Sequence, residues 1–97
     1  AAKRRPAVVV SNDRANASAV RHGRGVVTVV PLTSSVATVY PFQVLLEAED
    51  TGLRVDSKAK AEQVRSVAIE RMGPTIGRIP LGLMPLLDDA LRLHLGL

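Results

Sequence analysis

The residues at positions 26–32 form an almost uninterrupted aliphatic run, broken only by Thr28 and Pro31. Its four valines are stiff at χ1 and favour the pleated backbone of a strand. With so few polar residues in the run, the pattern predicts a strand that is covered on both faces. Because Pro31 cannot donate to a ladder, we expect this strand to end there or to lie at a sheet edge.

A second apolar strand is predicted over residues 6–11, directly after a cluster of cations. Pro6 has a fixed φ angle and favours an extended conformation at Arg5, and valines follow at 8–10. A guanidinium is therefore expected at the mouth of a strand, where an anion could bind. The alternative is that a basic terminus simply precedes a core strand, as solvated charge runs often do.

The C-terminal residues predict a helix that begins near Pro85, which is tolerated in a first helical turn. Met84, Leu87, Leu91 and Leu95 recur at helical spacing and form one apolar stripe. A tight turn from Leu81 is expected to precede it. Several short strands followed by one helix predict a mainly β fold with a C-terminal helix, either a small β-barrel or an open sheet.

The remaining segments carry weaker signals. The composition of residues 56–72 favours a helix locally, although Val64, Val67 and Ile69 would also suit a strand. Five other segments are predicted from short patterns: a polar, basic connection over 12–24, a strand over 41–47, an acidic turn over 47–52, and extended segments over 53–55 and 75–79.

Composition excludes several classes of function. A chain of 97 residues forms one domain, and the lack of cysteine excludes disulfides and thiolate metal sites. His22 and His94 lie far apart and show no metal-ligand spacing, so no cofactor and no metal are predicted. No apolar run is long enough to span a bilayer, and no stretch resembles a signal peptide, so a cytoplasmic protein is expected.

The positive charge is concentrated near the start of the chain. The net charge is +4. Clustering of this kind favours a polyanionic partner, typically a nucleic acid. Tyr40 and Phe42 are the only aromatic residues, which argues against a stacking platform of several rings. Phosphate contacts and polar contacts to bases are expected instead. Within the first 24 residues, six cations oppose the single carboxylate of Asp13: Lys3, Arg4, Arg5, Arg14, Arg21 and Arg24.

The usual catalytic constellations are missing, so an enzymatic reaction must demand little nucleophilic strength from the protein. RNA cleavage meets this condition, because the ribose 2′-OH next to the phosphorus is itself the nucleophile. The protein must align it and stabilise the charge that grows on the phosphoryl oxygens. The guanidinium of Arg5 and the hydroxyl of Thr33 are suited to such a centre, although the pattern alone does not bring them together.

Four blocks of sequence follow one another along most of the chain. They are Arg-Pro-Ala-Val-Val-Val-Ser at 5–11, Val-Val-Pro-Leu-Thr-Ser at 29–34, Tyr-Pro-Phe-Gln-Val at 40–44 and Glu-Gln-Val-Arg-Ser at 62–66. In these blocks the chain resembles the MazF/PemK toxin family, and its mycobacterial members in particular. Each block alone is common, whereas four in the family's order and spacing are specific, and the C-terminal leucine-rich helix also fits.

The resemblance implies a small SH3-like β-barrel of the MazF/CcdB/Kid type, acting as a homodimer. It further implies the toxin of a type II toxin-antitoxin system, an mRNA interferase that arrests growth. Such enzymes cut single-stranded RNA sequence-selectively and without a metal, by attack of the 2′-OH. Their products carry a 2′,3′-cyclic phosphate and a 5′-hydroxyl, and a MazE-like antitoxin neutralises them.

By resemblance, Arg5 and Thr33 are the catalytic residues. Gln63 matches a substrate-contacting position, with Glu62 and Ser34 as further RNA-binding residues. Asn12 and Arg14 start a loop that is expected to flank the RNA groove. The resemblance also replaces the local helix prediction by a strand over 62–68 and a helical turn over 70–72. Residues 1–97 then form a single toxin domain in which the family's first strand, which normally precedes the Arg-Pro motif, is not present.

Two other functions remain open on the sequence. The basic N-terminal third suits a nucleic-acid-binding module without catalysis equally well. A related barrel toxin that acts on a protein target, such as a topoisomerase, would not need Arg5 and Thr33 together.

Overall fold

A computed structural model of the chain describes residues 4–97, and Lys3 lies outside them. Eight helices and strands follow one another, with three short 3₁₀ turns between them. They are β1 (Ala7–Val9), α1 (Asp13–His22), β2 (Val26–Thr33), β3 (Gln43–Leu46), α2 (Ala48–Thr51), β4 (Ser57–Lys60), β5 (Arg65–Ala68) and α3 (Met84–Leu95), and the 3₁₀ turns are Ala61–Gln63, Ile69–Arg71 and Leu81–Leu83.

The aliphatic run forms β2, the central strand of an antiparallel sheet. One edge of β2 pairs with β1, and its other edge pairs with β5 along Val26 to Val29 and with β4 at Leu32 and Thr33. The strand β3 then pairs with β4. Within residues 4–97 the sheet is open, with the strand order β1-β2-β4-β3 and β5 beside β2. The predicted class, a mainly β barrel-like fold with a C-terminal helix, is confirmed.

Both faces of β2 are covered, as its sequence predicts. Val30 and Leu32 lie in a core that includes Val8 of β1 and Leu87 and Ala90 of α3. On the other face, α1 places Ala19 against Val27 and Val29. Two helices on opposite faces therefore explain why the strand shows so little polar alternation.

The strand does not end at Pro31, contrary to the sequence-based expectation. Leu32 pairs with Pro6 through the hydrogen bond from its N–H to the Pro6 carbonyl, so alternation turns the nitrogen of Pro31 toward the opposite edge. On that edge the ladder is interrupted between Leu32, which pairs with Ala59, and Val29, which pairs with Arg65. The proline consequently falls where no ladder hydrogen bond is required.

The predicted polar connection over 12–24 is wrong, because most of it forms α1. The side chain of Asn12 accepts a hydrogen bond from the Ala15 N–H at 2.9 Å and caps the helix. Gly23 ends it with a left-handed backbone, φ 65°. Only Ala19 of this helix is buried, so its sequence carries little of the apolar periodicity that would reveal it.

The predictions for 56–72 also need correction. The locally favoured helix is wrong, and β4 was not predicted at all. The strand expected over 62–68 is present only as β5, because the 3₁₀ turn Ala61–Gln63 precedes it. The helical turn expected over 70–72 corresponds to the 3₁₀ turn Ile69–Arg71.

The other elements follow the sequence more closely. The strand β3 lies within the predicted segment 41–47, and the acidic turn is the short helix α2. Segments 53–55 and 75–79 form no strand. The helix α3 has Pro85 in its first turn and follows the 3₁₀ turn Leu81–Leu83, as predicted. Among the described residues, no helix has the length and apolarity that crossing a membrane requires.

Candidate functional site

The strand register brings Arg5 and Thr33 to the same place on the sheet. Ala7 pairs with Pro31, and the ladder continues through the hydrogen bond from the Leu32 N–H to the Pro6 carbonyl at 3.1 Å. If this register continues by one residue beyond Pro6, Arg5 lies opposite Thr33. Side chains that are directly opposed across an antiparallel pair share one face, with Cβ atoms about 4.5–5.5 Å apart.

Two lysines from β4 join them on this face. Thr33 pairs with Lys58, and Lys60, two residues further along β4, lies on the same face as Lys58. Lys60 in turn pairs with Gln43 of β3. We call this surface the Thr33 face, and it comprises Arg5, Thr33, Gln43, Lys58 and Lys60.

The loop over residues 34–42 is anchored to the Thr33 face by two side chains. The ammonium of Lys58 donates to the Thr38 carbonyl at 2.6 Å and lies 5.7 Å from the centre of the Tyr40 ring. The side-chain oxygen of Gln43 accepts from the Tyr40 N–H at 3.1 Å. These contacts fix the segment that directly follows Thr33, so the threonine lies at the start of a held loop.

The two aromatic residues also lie beside this face. The rings of Tyr40 and Phe42 are stacked, with centroids 5.5 Å apart and planes 7° from parallel. Phe42 lines a cavity of about 410 Å³ together with Glu62, Leu93 and His94. One carboxylate oxygen of Glu62 accepts from the Gln43 side-chain N–H at 2.8 Å, while the other is buried without a hydrogen-bond partner among the described residues.

The positive charge of the Thr33 face is not neutralised by acidic side chains. Across residues 4–97, the structure holds one ion pair, between Arg92 and Asp89 on α3. Arg5, Lys58 and Lys60 therefore face solvent or neutral groups rather than carboxylates. Such a face can bind a phosphate and leave a hydroxyl, that of Thr33, in contact with it.

The other residues predicted by resemblance lie at different distances from this centre. Ser34 follows Thr33 and is exposed, and Glu62 reaches the Thr33 face through Gln43. Gln63 is exposed in the turn between β4 and β5.

Asn12 and Arg14 are not brought to the Thr33 face. Their helix begins beside Thr28, whose backbone binds the end of β1. Five strand residues, about 17 Å, separate Thr28 from Thr33.

Sequence reasoning missed Lys58, Lys60 and Gln43. The signal for the lysines is the strict alternation Ser-Lys-Ala-Lys-Ala at 57–61, which is typical of a strand with one face against a core. Helix-favouring residues further along the same segment obscured this alternation. Gln43 shows no sequence signal for its role, since the role arises from contacts with a distant loop and turn.

A family match covers nearly the whole chain. Residues 1–95 match the family described as PemK-like, MazF-like toxin of type II toxin-antitoxin system. The chain therefore belongs to this family of toxins. It is 66% identical over 93 residues to a protein of Mycobacterium tuberculosis (strain ATCC 25618 / H37Rv) named "Endoribonuclease MazF9", an alignment that spans 96% of this chain and 79% of that protein.

Solved structures share the fold of this chain. The structure "Mycobacterium tuberculosis toxin MazF-mt6" matches with a TM-score of 0.80 at 22% identity, over 96% of this chain and 87% of that chain. The structure "Endoribonuclease in complex with its cognate antitoxin from Mycobacterial species" matches with a TM-score of 0.75 at 25% identity, over 96% of this chain and 82% of that chain.

Proposed function

We propose that this protein is a sequence-selective endoribonuclease that cuts single-stranded RNA, with mRNA as its cellular substrate, and that it needs no metal. The observation that supports the proposal is the register of β1 and β2, whose continuation by one residue beyond Pro6 would set Arg5 opposite Thr33 on a cationic face. The relative named as an endoribonuclease, at 66% identity, supports it. An mRNA substrate also implies that the protein acts in the cytoplasm.

The proposed reaction is a transfer within the substrate. The 2′ oxygen attacks the adjacent phosphorus while the bond from phosphorus to the 5′ oxygen breaks. The 2′ oxygen loses its proton and the 5′ oxygen gains one, which leaves a 2′,3′-cyclic phosphate and a 5′-hydroxyl. No oxidant, reductant or metal is needed for this balance.

In this reaction Arg5 stabilises the charge that develops on the non-bridging phosphoryl oxygens. Its planar, permanently charged guanidinium can donate two hydrogen bonds to one phosphate. Thr33 orients the scissile phosphate through its hydroxyl, whose oxygen accepts from the Ser35 N–H at 3.3 Å. That hydrogen bond leaves the hydroxyl hydrogen free to donate to the substrate.

The remaining predicted residues would determine which RNA is cut. Ser34, Glu62 and Gln63 lie on segments adjoining the Thr33 face, and Asn12 and Arg14 would contact RNA further from the scissile bond. Single-stranded RNA is recognised through unstacked bases, by hydrogen bonds and shape. Selectivity is therefore expected to depend on the 34–42 loop and on the turn Ala61–Gln63.

The test is cleavage of a mixed-sequence single-stranded RNA in EDTA, with product ends analysed for cyclic phosphate. Arg5→Lys keeps the positive charge but loses the planar guanidinium that donates two hydrogen bonds. Thr33→Val keeps the shape of the side chain but loses the hydroxyl. Each should lower the cleavage rate by about 10²–10³-fold, the range for loss of one transition-state donor. Arg54→Lys, at an exposed arginine outside the Thr33 face, serves as the control and should cleave normally.

Four results would contradict the proposal. Unchanged cleavage in both site variants would remove Arg5 and Thr33 from the reaction, and cleavage that stops in EDTA would exclude the metal-free mechanism. Salt-dependent RNA binding without any cyclic-phosphate product would favour a binding module instead. Toxicity that survives the double replacement would point to a protein target.

We further propose that the protein forms a homodimer and is neutralised by a cognate antitoxin. The antitoxin partner is supported by the matched complex of a mycobacterial endoribonuclease. The dimer is supported by an apolar groove of about 360 Å³ between β3 and α3, lined in part by Leu45, Leu86 and Leu93. All three leucines are at least 40% exposed, so a second copy is the expected cover. Leu93→Glu should give a monomer in sedimentation analysis, and a persisting dimer would place the interface elsewhere.

A further inference from the structure

Lys58 is buried although it carries a charge. Only 8% of its surface is exposed, whereas lysines are almost never fully buried unless they are paired. Its ammonium donates to the Thr38 carbonyl and faces the Tyr40 ring. An ammonium has three donors, and one of them is used by the Thr38 carbonyl. Neither partner carries a neutralising charge.

Within residues 4–97, no acidic side chain forms an ion pair with Lys58. Among the residues that the structure describes, Arg92 and Asp89 form the one ion pair. Glu62, the acidic residue tied to the Thr33 face, is held by Gln43 rather than by Lys58. A buried cation without a counter-ion is unfavourable, so an anion that reaches Lys58 would gain binding energy.

The position of Lys58 indicates which anion this is. Lys58 pairs directly with Thr33, and Thr33 is opposite Arg5 on its other side. An anion held at the Thr33 hydroxyl therefore lies on β2 between two neighbouring strand positions that carry cationic side chains, Arg5 and Lys58. In the proposed reaction that anion is a phosphate of the RNA backbone.

We infer that Lys58 is a substrate-contacting residue that binds the RNA phosphate held at Thr33, which serves as the missing counter-ion of its buried ammonium. The inference rests on the proposed function and adds a third phosphate-binding residue to Arg5 and Thr33. It also gives the 34–42 loop a part in binding, since the same ammonium anchors that loop at Thr38. Binding of the phosphate is then coupled to the position of the loop.

The first test measures the salt dependence of RNA binding. An RNA with 2′-O-methyl groups at every position cannot be cut, so its affinity can be followed by fluorescence anisotropy across a range of NaCl concentrations. Each neutralised phosphate on a single strand contributes about −0.7 to the slope of log K against log salt. Lys58→Met should reduce the magnitude of this slope by about 0.7. Arg92→Met removes a charge on the opposite side of the sheet and should leave the slope unchanged.

A second measurement uses the wild-type protein, in case Lys58→Met does not fold. The chain contains three lysines, so selective ¹⁵N labelling gives few side-chain signals, and Lys58→Arg and Lys60→Arg identify them. The Lys58 Nζ resonance should shift when the methylated RNA binds. An unmoved Lys58 resonance at saturating RNA, or an unchanged slope in a folded Lys58→Met variant, would overturn the inference.

These outcomes are separate from those of the cleavage test. Because the methylated RNA is not cleaved, binding through Lys58 is measured whether or not the protein is a nuclease. If Arg5→Lys loses cleavage but Lys58→Met binds RNA with the same salt dependence as wild type, only the role of Lys58 is overturned. If the wild-type protein cuts no RNA but Lys58→Met lowers the magnitude of the salt slope of RNA binding, only the proposed nuclease activity is overturned.

Discussion

Replacing Asn12 separates a helix-capping role from the RNA contact that the family resemblance assigns to this residue. Its side-chain oxygen accepts from the Ala15 N–H at 2.9 Å, and its backbone is extended, with φ −68° and ψ 156°. Asn12→Asp keeps an acceptor at this position and adds a negative charge. Asn12→Ala and Asn12→Gly both remove the acceptor, but glycine is the better tolerated of the two at an N-cap and should lower the stability less.

The cap predicts a graded series of stabilities. Loss of an N-cap to alanine costs about 1 kcal/mol, and to glycine a few tenths. Asn12→Asp should be close to wild type, because the helix dipole favours a negative N-cap by about 0.3–1 kcal/mol while the neighbouring Asp13 opposes it. In a domain of this size about 1 kcal/mol lowers the melting temperature by about 4–8 °C, so Asn12→Ala should melt within that range below wild type.

The RNA-binding prediction for Asn12→Asp follows from distance. The start of α1 lies about 17 Å from Thr33 along β2, and charges in solvent are screened over about 8 Å at physiological salt. If Asn12 acts only as a cap, Asn12→Asp should bind methylated RNA within about two-fold of wild type at that ionic strength.

Urea unfolding followed by circular dichroism, with anisotropy on the same samples, checks both predictions for Asn12. Equal destabilisation by aspartate and alanine would refute the capping argument. A tenfold loss of RNA binding in a fully stable Asn12→Asp variant would instead support the RNA contact proposed for Asn12.

Two further predictions concern stability and use matched pairs followed by urea unfolding. Leu87→Ala should lower the free energy of unfolding by about 2–5 kcal/mol because Leu87 is 2% exposed in the core. Leu81→Ala, at a residue that is 88% exposed, should change it little. Similar losses in both variants would refute the assigned core. Gly77→Ala should lower the free energy of unfolding by about 1–3 kcal/mol because its Cβ would lie 2.5 Å from the Thr51 carbonyl oxygen. Gly82→Ala is the control, because its Cβ would meet no atom within 4 Å. An unchanged stability of Gly77→Ala would mean that this segment does not pack on Thr51.

The elements that could be predicted from sequence are those in which the pattern of apolar residues matches the pattern of burial. The valines of β2 are covered on both faces and leave an aliphatic run, while the stripe of α3 faces the core at Leu87. In each case the local pattern and the tertiary contacts favour the same structure, so reading the sequence alone is sufficient.

The elements that escaped prediction depend on distant partners. The helix α1 buries only Ala19, and its stability comes from its caps and from contact with Val27 and Val29. Similarly, β4 is short, and β2 and β3 determine its conformation by pairing on both of its edges. Tertiary pairing overrides weak local propensity in such segments.

The Thr33 face illustrates how one alternating pattern can determine both a fold and a site. Ala59 packs in the core beside Val30 and Leu32, while Lys58 and Lys60 lie on the other face of β4. A slip of β4 by one residue would turn both lysines into that apolar core and bring Ala59 beside Thr33. Because burial of two charges among aliphatic side chains is strongly unfavourable, the alternation specifies this register. The pairing of Thr33 with Lys58 is consequently enforced by the packing of the sheet.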